Sequence, residues 1–218
     1  MSLRNGSGPD ESGLDESVAA AVFGPAYSCA REYARILGGR GVEWGVIGPG
    51  EVPRLWDRHL LNCAVVAELA GDDWHTLADV GSGAGLPGIV LAMLLPEVRV
   101  TLVEPLERRV KFLDECVREL GLGNAKVLRG RAEDMTGQLA VDVAIARAVA
   151  PLDRLAPLLA GVVRSGGTVL AIKGSAAADE LATAKPALRR IAARGAEVLR
   201  VGHGKVSPAT TVVRFFAR

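Results

Sequence analysis

Cysteine and histidine are scarce, with three of each in 218 residues. Cys29, Cys63 and Cys116 are odd in number, widely spaced and free of any C-x-x-C pairing. That excludes a disulfide scaffold and argues against a zinc site, leaving reduced, packed thiols of the kind a cytosolic protein carries. Three scattered histidines make a metal centre equally poor as a reading. Formal net charge is only +1, so no global field draws the chain to nucleic acid, and any such role needs a local patch. No apolar stretch is long and uncharged enough for a membrane span, and the polar start does not read as a signal peptide. Residues 1–14 are rich in glycine, serine and acid and read as a disordered tail. What is plentiful is apolar mass: 49% hydrophobic residues suffice for a core, and residues 15–218 read as a single domain.

The remainder is organised around residues 77–88, Leu-Ala-Asp-Val-Gly-Ser-Gly-Ala-Gly-Leu-Pro-Gly. Leu77 to Val80 form a short apolar run that ends abruptly in glycines, which predicts a buried strand entering a turn. Gly81, Gly83 and Gly85 lack the side chains that would keep backbone N–H groups away from a ligand. Pro87 suits the first turn of a helix running to Pro96, and Val98–Val103 make a second strand that ends in Glu104. Strand, glycine turn, helix, strand and acid is the nucleotide-binding half of a Rossmann-like sheet, with the acid placed to take ribose hydroxyls. The glycines stand first, third and fifth, whereas a dinucleotide fingerprint wants the sixth. Asp79 lies two residues before the first glycine, where it would repel a pyrophosphate and attract an ammonium group. This spacing favours S-adenosylmethionine over NAD.

Along the chain, residues 15–70 predict helices and 71–218 the Rossmann-like core. Pro25 opens a helix with Ala26, Ala30, Tyr33 and Leu37 on one face, which should stop at Gly38-Gly39. Glu51 to Ala70 predict one strong helix with Leu55, Trp56, Leu60 and Cys63 inward. After Glu104, an amphipathic helix at 106–120 leads to strands at 125–128 and 141–146. A helix at 152–163, a strand at 168–172 and a helix at 176–194 follow, the last expected to kink or split at Pro186. Strands near 197–201 and 211–216 have no helix between them and predict an antiparallel terminal hairpin. The predicted fold is α/β: a Rossmann-like class I methyltransferase with a seven-stranded, mostly parallel sheet and an N-terminal helical layer.

Several segments are more specific than the glycine turn. They are Trp56-Asp-Arg-His-Leu-Leu-Asn62, Asp79 to Gly88, Glu104-Pro-Leu-Glu-Arg-Arg109 with Phe112-Leu113, Arg129-Gly-Arg-Ala-Glu133, Arg147-Ala148 and Leu170-Ala-Ile-Lys-Gly174. On these the chain resembles the glucose-inhibited division protein B family, the RsmG-type guanine-N7 methyltransferases of small-subunit ribosomal RNA, over about residues 25–216. Many members carry an Asn-Leu-Thr-type segment before the Arg-His helix. Here Trp44-Gly-Val-Ile-Gly48 stands instead, similar to the high-GC Gram-positive branch.

The resemblance implies S-adenosylmethionine as cofactor, Gly81 and Leu86 lining its cleft, and Glu104 holding its ribose. It further implies Ala132 and Glu133 beside the adenine and Arg147 at the cleft's rim. Following the third strand, Ala132-Glu133 could read adenine through an N–H and a carboxylate; without the resemblance, Glu133 reads better as a solvated helix-start acid stabilised by the dipole. Arg147 could instead pair with a carboxylate such as Glu133.

What is missing also bears on the reaction. Exocyclic-amine methylases end the fourth strand in Asn or Asp, Pro-Pro and an aromatic, where this chain has Ala146-Arg147-Ala148-Val149. Carbon-5 methylases need a cysteine near the fourth or fifth strand, and none is there. Guanine N7 has a lone pair and no proton to lose, so alignment with the methyl group is the main requirement. For the RNA, Arg108, Arg109, Lys111, Arg129, Arg131 and Lys173 all fall at the carboxyl edge of the sheet. Arg58 and Asn62 share a helix face with His59 beside them. His59 also reads as a core histidine, and Trp44 as either loop packing or a base platform. The expected partner is small-subunit ribosomal RNA, naked or in a pre-ribosomal particle, in the cytoplasm. The other readings are a methyltransferase of another RNA or a small molecule, an NAD enzyme, or a non-catalytic RNA-binding module.

Overall fold

The computed structural model describes residues 16–147 and 150–218. The expected tail at 1–14 lies outside them, as do Ala148 and Val149. Seven strands form one sheet in the order β3-β2-β1-β4-β5-β7-β6. They are β1 (Thr76–Val80), β2 (Arg99–Glu104), β3 (Ala125–Arg129), β4 (Val141–Arg147), β5 (Val163–Lys173), β6 (Arg194–Val201) and β7 (Thr210–Phe216). The first five run parallel, and β7 enters antiparallel between β5 and β6. The central strands are apolar at nearly every position because both faces are covered.

Alternation along each strand sorts side chains into two cores. Leu77, Leu102, Val143, Ile145, Leu170 and Ile172 face α1 (Glu16–Phe23), α2 (Tyr27–Ile36), α3 (Leu61–Ala64), α4 (Gly88–Leu94) and α5 (Glu107–Glu119). Ala78, Val80, Val103, Ala144, Ala146 and Ala171 face α6 (Leu152–Ala160) and α7 (Ala177–Arg190). The N-terminal helices therefore share one core with one face of the sheet.

Three expectations give way. The helix through Tyr33 does not stop at Gly38-Gly39; it widens into a π-type turn, Leu37–Gly41, in which Leu37 and Gly41 are buried. Gly41 is buried beside Ile47 and Phe112, so burial against the core keeps the turn wound where glycine alone would release it. The stretch from 51 to 70 is not one α-helix. Pro49 and Pro53 withhold backbone donors, giving a 3-10 turn Pro49–Arg54, then a π-turn Leu55–Leu60, then α3 and a 3-10 turn Val65–Leu69. Pro186 does not split α7, which continues to Arg190. Pro186 and Ala182 are both exposed, so the carbonyl left without an N–H partner meets water.

Candidate active site

A parallel sheet whose order reverses between β1 and β4 leaves a crevice at the carboxyl ends of those strands. Here it is a cleft of about 600 Å³ walled by Gly81 to Ala84 and Leu86 of the turn after β1 and by Glu104 to Leu106 after β2. Arg109, Arg131 and Arg147 contribute the cationic side. Val46, Ile47 and His59 close it from the helical layer. No cluster of metal-ligating side chains lies among the described residues.

The turn is tied down at both ends. Gly81, Gly83 and Gly85 sit at φ +76°, +57° and +93°, a region that L side chains rarely enter. The Gly81 and Ser82 N–H groups donate to the Val103 carbonyl at 2.9 and 3.0 Å, fixing the turn to β2. Gly83 N–H donates to Glu104 Oε2 at 2.9 Å, and Leu106 N–H donates to Oε1 at 3.0 Å. Glu104 is 2% exposed. Each of its oxygens thus holds one backbone donor and keeps lone-pair capacity for another, while Arg109 Nη1 stands 4.0 Å away.

Gly85 has a different reason to be glycine. A Cβ there would come within 2.5 Å of Ile89 Cδ1 and 2.8 Å of Tyr33 Oη. Gly85 therefore serves packing against the helical layer and is not on the cleft wall. The Tyr33 hydroxyl donates to the Ala84 carbonyl at 2.5 Å and clamps the turn from below.

Asp79 also departs from expectation. It shares the parity of Leu77, so it points into the helical-layer core and is fully buried instead of lining the cleft. Its Oδ2 accepts the Gly88 N–H at 3.0 Å at the start of α4, and its Oδ1 has no hydrogen-bond partner. Burial pushes its carboxyl up to about 7, against the lowering effect of the Gly88 hydrogen bond.

Arg147 shares the face of Val143 and Ile145, which turns it toward the helical layer. Its Nη2 donates to His59 Nδ1 at 2.8 Å and its Nη1 to the Arg58 carbonyl at 3.4 Å. The expected alternative, a pair with Glu133, is not formed. Glu133 is exposed at the head of the 3-10 turn Glu133–Met135, and Ala132 packs against the α6–α7 core; neither is on the cleft wall, where Arg131 stands instead.

Of the residues read as RNA contacts, two are absorbed by structure. Lys173 follows the parity of Ala171, so it faces the α6–α7 side, opposite to Arg147. Its side chain is 7% exposed, and the ammonium donates to Glu180 Oε2 at 2.8 Å and the Ala150 carbonyl at 2.6 Å. Asn62 accepts the Thr210 hydroxyl at 2.8 Å and donates to the Asp57 carbonyl, joining the helical layer to β7. Arg109 belongs to the cleft, and His59 is nearly buried on its wall. Arg58 and Arg108 stay at the exposed rim. Arg58 Nη1 donates to Glu51 at 3.1 Å. Trp44 packs at 6.2 Å from Phe112 with Arg108 and Lys111 beside it. Sequence reasoning missed Val46, Ile47 and Leu106. The first two sit in Trp44-Gly-Val-Ile-Gly48, noted only as a departure from the family pattern, and Leu106 is a lone exposed apolar residue (53%) with no periodicity to mark it.

The family model described as rRNA small subunit methyltransferase G matches residues 26–207. A protein of Thermobifida fusca named ribosomal RNA small subunit methyltransferase G is 52% identical over 201 residues, covering 92% of this chain and 84% of its own length. A Streptomyces coelicolor protein of the same name is 53% identical over 194 residues, covering 88% and 81%. Among solved structures, a SAM-dependent methyltransferase from Aquifex aeolicus superposes with a TM-score of 0.55 at 22% identity, covering 79% of this chain and 100% of that one. That likeness speaks to the fold.

Proposed function

The chain belongs to the small-subunit ribosomal RNA methyltransferase G family, and from that membership we propose that it methylates N7 of a guanine in small-subunit (16S) ribosomal RNA. It is an S-adenosylmethionine-dependent methyltransferase. The cleft fits that methyl donor: a buried carboxylate with unused lone pairs stands at the end of β2, beside a left-handed glycine turn without side chains. A cleft of about 600 Å³ also lies within the range of sites that enclose a nucleoside-sized ligand. In this reading Glu104 takes the ribose hydroxyls, Gly81 and Gly83 admit the ligand to the backbone, and Leu86 and Leu106 flank it. Bound there, adenosylmethionine supplies an electrophilic sulfonium methyl.

One observation supports the choice of N7: in this reading no group of the cleft is left over as a base, because the remaining lone pairs of Glu104 go to the ribose and His59 is paired. Glu104 accepts two backbone N–H groups, and both ring nitrogens of His59 have partners. The cysteines cannot serve as nucleophiles either. Burial pushes the Cys63 thiol up to about 11 and that of Cys116 up to about 12, and none of the three is on the cleft wall. A nucleophile with a lone pair and no proton to lose needs neither, so the protein's work is alignment. Arg147 clamps an oxyanion, a phosphate of the RNA or the carboxylate of the methyl donor. A cation laid against the guanine itself would oppose the positive charge that the ring acquires. Arg58, Arg108 and Arg131 at the rim take RNA phosphates.

The enzyme acts in the cytoplasm, where its substrate is; no helix among the described residues is long and apolar enough to cross a membrane. The test is transfer of labelled methyl from adenosylmethionine to naked 16S RNA and to small subunits, in parallel, followed by borohydride reduction and aniline cleavage. Scission at the labelled guanine supports N7. Label without scission moves the acceptor atom elsewhere, and the better of the two substrates tells whether naked RNA or the particle is preferred.

A further inference from the structure

His59 stands in the π-turn Leu55–Leu60, and the widened winding there carries its ring into the cleft wall, where its side chain is 11% exposed. Its two nitrogens meet partners of opposite demand. Nδ1 lies 2.8 Å from Arg147 Nη2, and Nε2 lies 2.7 Å from Glu51 Oε2. A guanidinium can only donate and a carboxylate can only accept. Nδ1 must therefore hold the lone pair and Nε2 the proton, which selects one neutral tautomer.

We propose that His59, as the neutral Nε2–H tautomer, is a positioning residue that relays Glu51 to Arg147 and so holds the guanidinium at the cleft rim, and that protonating His59 releases it. The proposal rests on the reading of Arg147 as an oxyanion clamp. Protonation would set an N–H donor against the Nη2 donor and place two cations in contact. The charged groups that face the ring are Arg147 from β4, Glu51 from the 3-10 turn before it and Arg58 from its own turn. Burial and the Arg147 charge both push the imidazole below its usual range, against the pull of Glu51. The histidine thus stays neutral at pH 7, and its protonation is confined to the acid side.

The relay also accounts for the order in which these residues lie. Arg147 is anchored by two atoms of one turn, His59 Nδ1 and the Arg58 carbonyl at 3.4 Å. Arg58 Nη1 and His59 Nε2 in turn share the two oxygens of Glu51. A carboxylate on the outer rim therefore orients an arginine on the inner one through a single imidazole, a construction with the logic of a base held by an orienting acid.

The first measurement is ¹⁵N NMR of the full chain with labelled histidine, the His59 resonances being assigned by their loss in His59→Asn. A protonated Nε2 and a bare Nδ1 at neutral pH support the proposal; a protonated Nδ1 overturns it. The second is kcat/KM for RNA methylation against pH. His59→Leu should lose about 10- to 100-fold, the scale of one charge-assisted bond. His59→Asn keeps an acceptor near the Nδ1 position and should recover most of that loss with a flattened acid limb. Wild-type kcat/KM in His59→Leu, or no recovery in a folded His59→Asn, overturns the positioning role. If Arg147→Ala is impaired beside an unimpaired His59→Leu, only the relay fails. If Arg147→Ala methylates at the wild-type rate, the clamp itself fails and the relay with it.

Discussion

Replacing Asp79 by asparagine should stabilise the protein above neutral pH while weakening its hold on the methyl donor. Asp79 is fully buried and its carboxyl is pushed up to about 7 by that burial. In an unfolded chain it would titrate near 3.9. Between those values the folded state keeps a proton that the unfolded state has lost, so stability falls as pH rises from about 4 through about 7. About three units at 1.36 kcal/mol each put the cost at about 4 kcal/mol once Asp79 is ionised. Asparagine is close in shape, cannot ionise, and keeps an oxygen for the Gly88 N–H now held at 3.0 Å. Its NH₂ would take the place of Oδ1, which has no partner, at a cost of about 1–3 kcal/mol. The net expectation is a gain of about 1–3 kcal/mol near pH 8 and no gain near pH 5. Urea denaturation of both proteins at the two pH values, with the m-value checked for constancy, measures it directly. The same difference at both pH values would show that Asp79 does not titrate in the folded state and would refute the argument. Cofactor binding supplies the second half: a cationic ligand favours the ionised carboxylate, so wild-type affinity should rise across pH 7 with proton release. Calorimetry in buffers of different ionisation heat should find that release absent in Asp79→Asn.

Glu104→Ala should weaken adenosylmethionine binding by about 1–3 kcal/mol through lost ribose hydrogen bonds; calorimetric titration giving equal affinity would remove Glu104 from the site. Gly85→Ala should destabilise far more than Gly83→Ala, because the former drives a Cβ to 2.5 Å from Ile89 whereas the latter meets only the Gly81 carbonyl at an ordinary 3.8 Å and has a left-handed φ to strain. Equal losses in thermal unfolding would show that the turn is not packed against the helical layer. Lys173→Met should lower stability by about 1–3 kcal/mol by leaving Glu180 half-buried and unpaired, yet leave the salt dependence of RNA binding unchanged. Arg108→Ala should do the reverse, flattening the log–log salt slope by about 0.7–0.9 with unfolding unaffected. A changed slope for Lys173 or an unchanged one for Arg108 would exchange their roles.

Much of this site was legible because local chemistry dictates it. The turn from Gly81 to Gly85 announces itself in three glycines, and all three adopt positive φ. Glu104 is marked by an apolar run that ends in an acid. Where three charged strand residues point was not legible, because a strand residue's face follows from parity and parity needs an origin. Asp79 and Arg147 go with Leu77 and Ile145 toward the helical layer, and Lys173 goes with Ala171 to the other side. Gly85 looks like its neighbours in sequence, but what it meets is Tyr33, far back along the chain.

The sequence by itself determined the strand–turn–helix–strand unit, the seven-stranded sheet with its antiparallel end and the acid at the end of β2. Periodicity, glycine and proline act over a few residues, and a single chain displays them in full. Tertiary structure decided which charges are free to act. Whether a cation meets solvent or an anion depends on elements brought together from far along the chain, as with Lys173 and Glu180 or Arg147 and His59. It decided as well that the stretch from 51 to 70 winds unevenly, because prolines and a buried face compete there. That irregular winding is what carries His59 to Arg147, and no local propensity encodes the meeting.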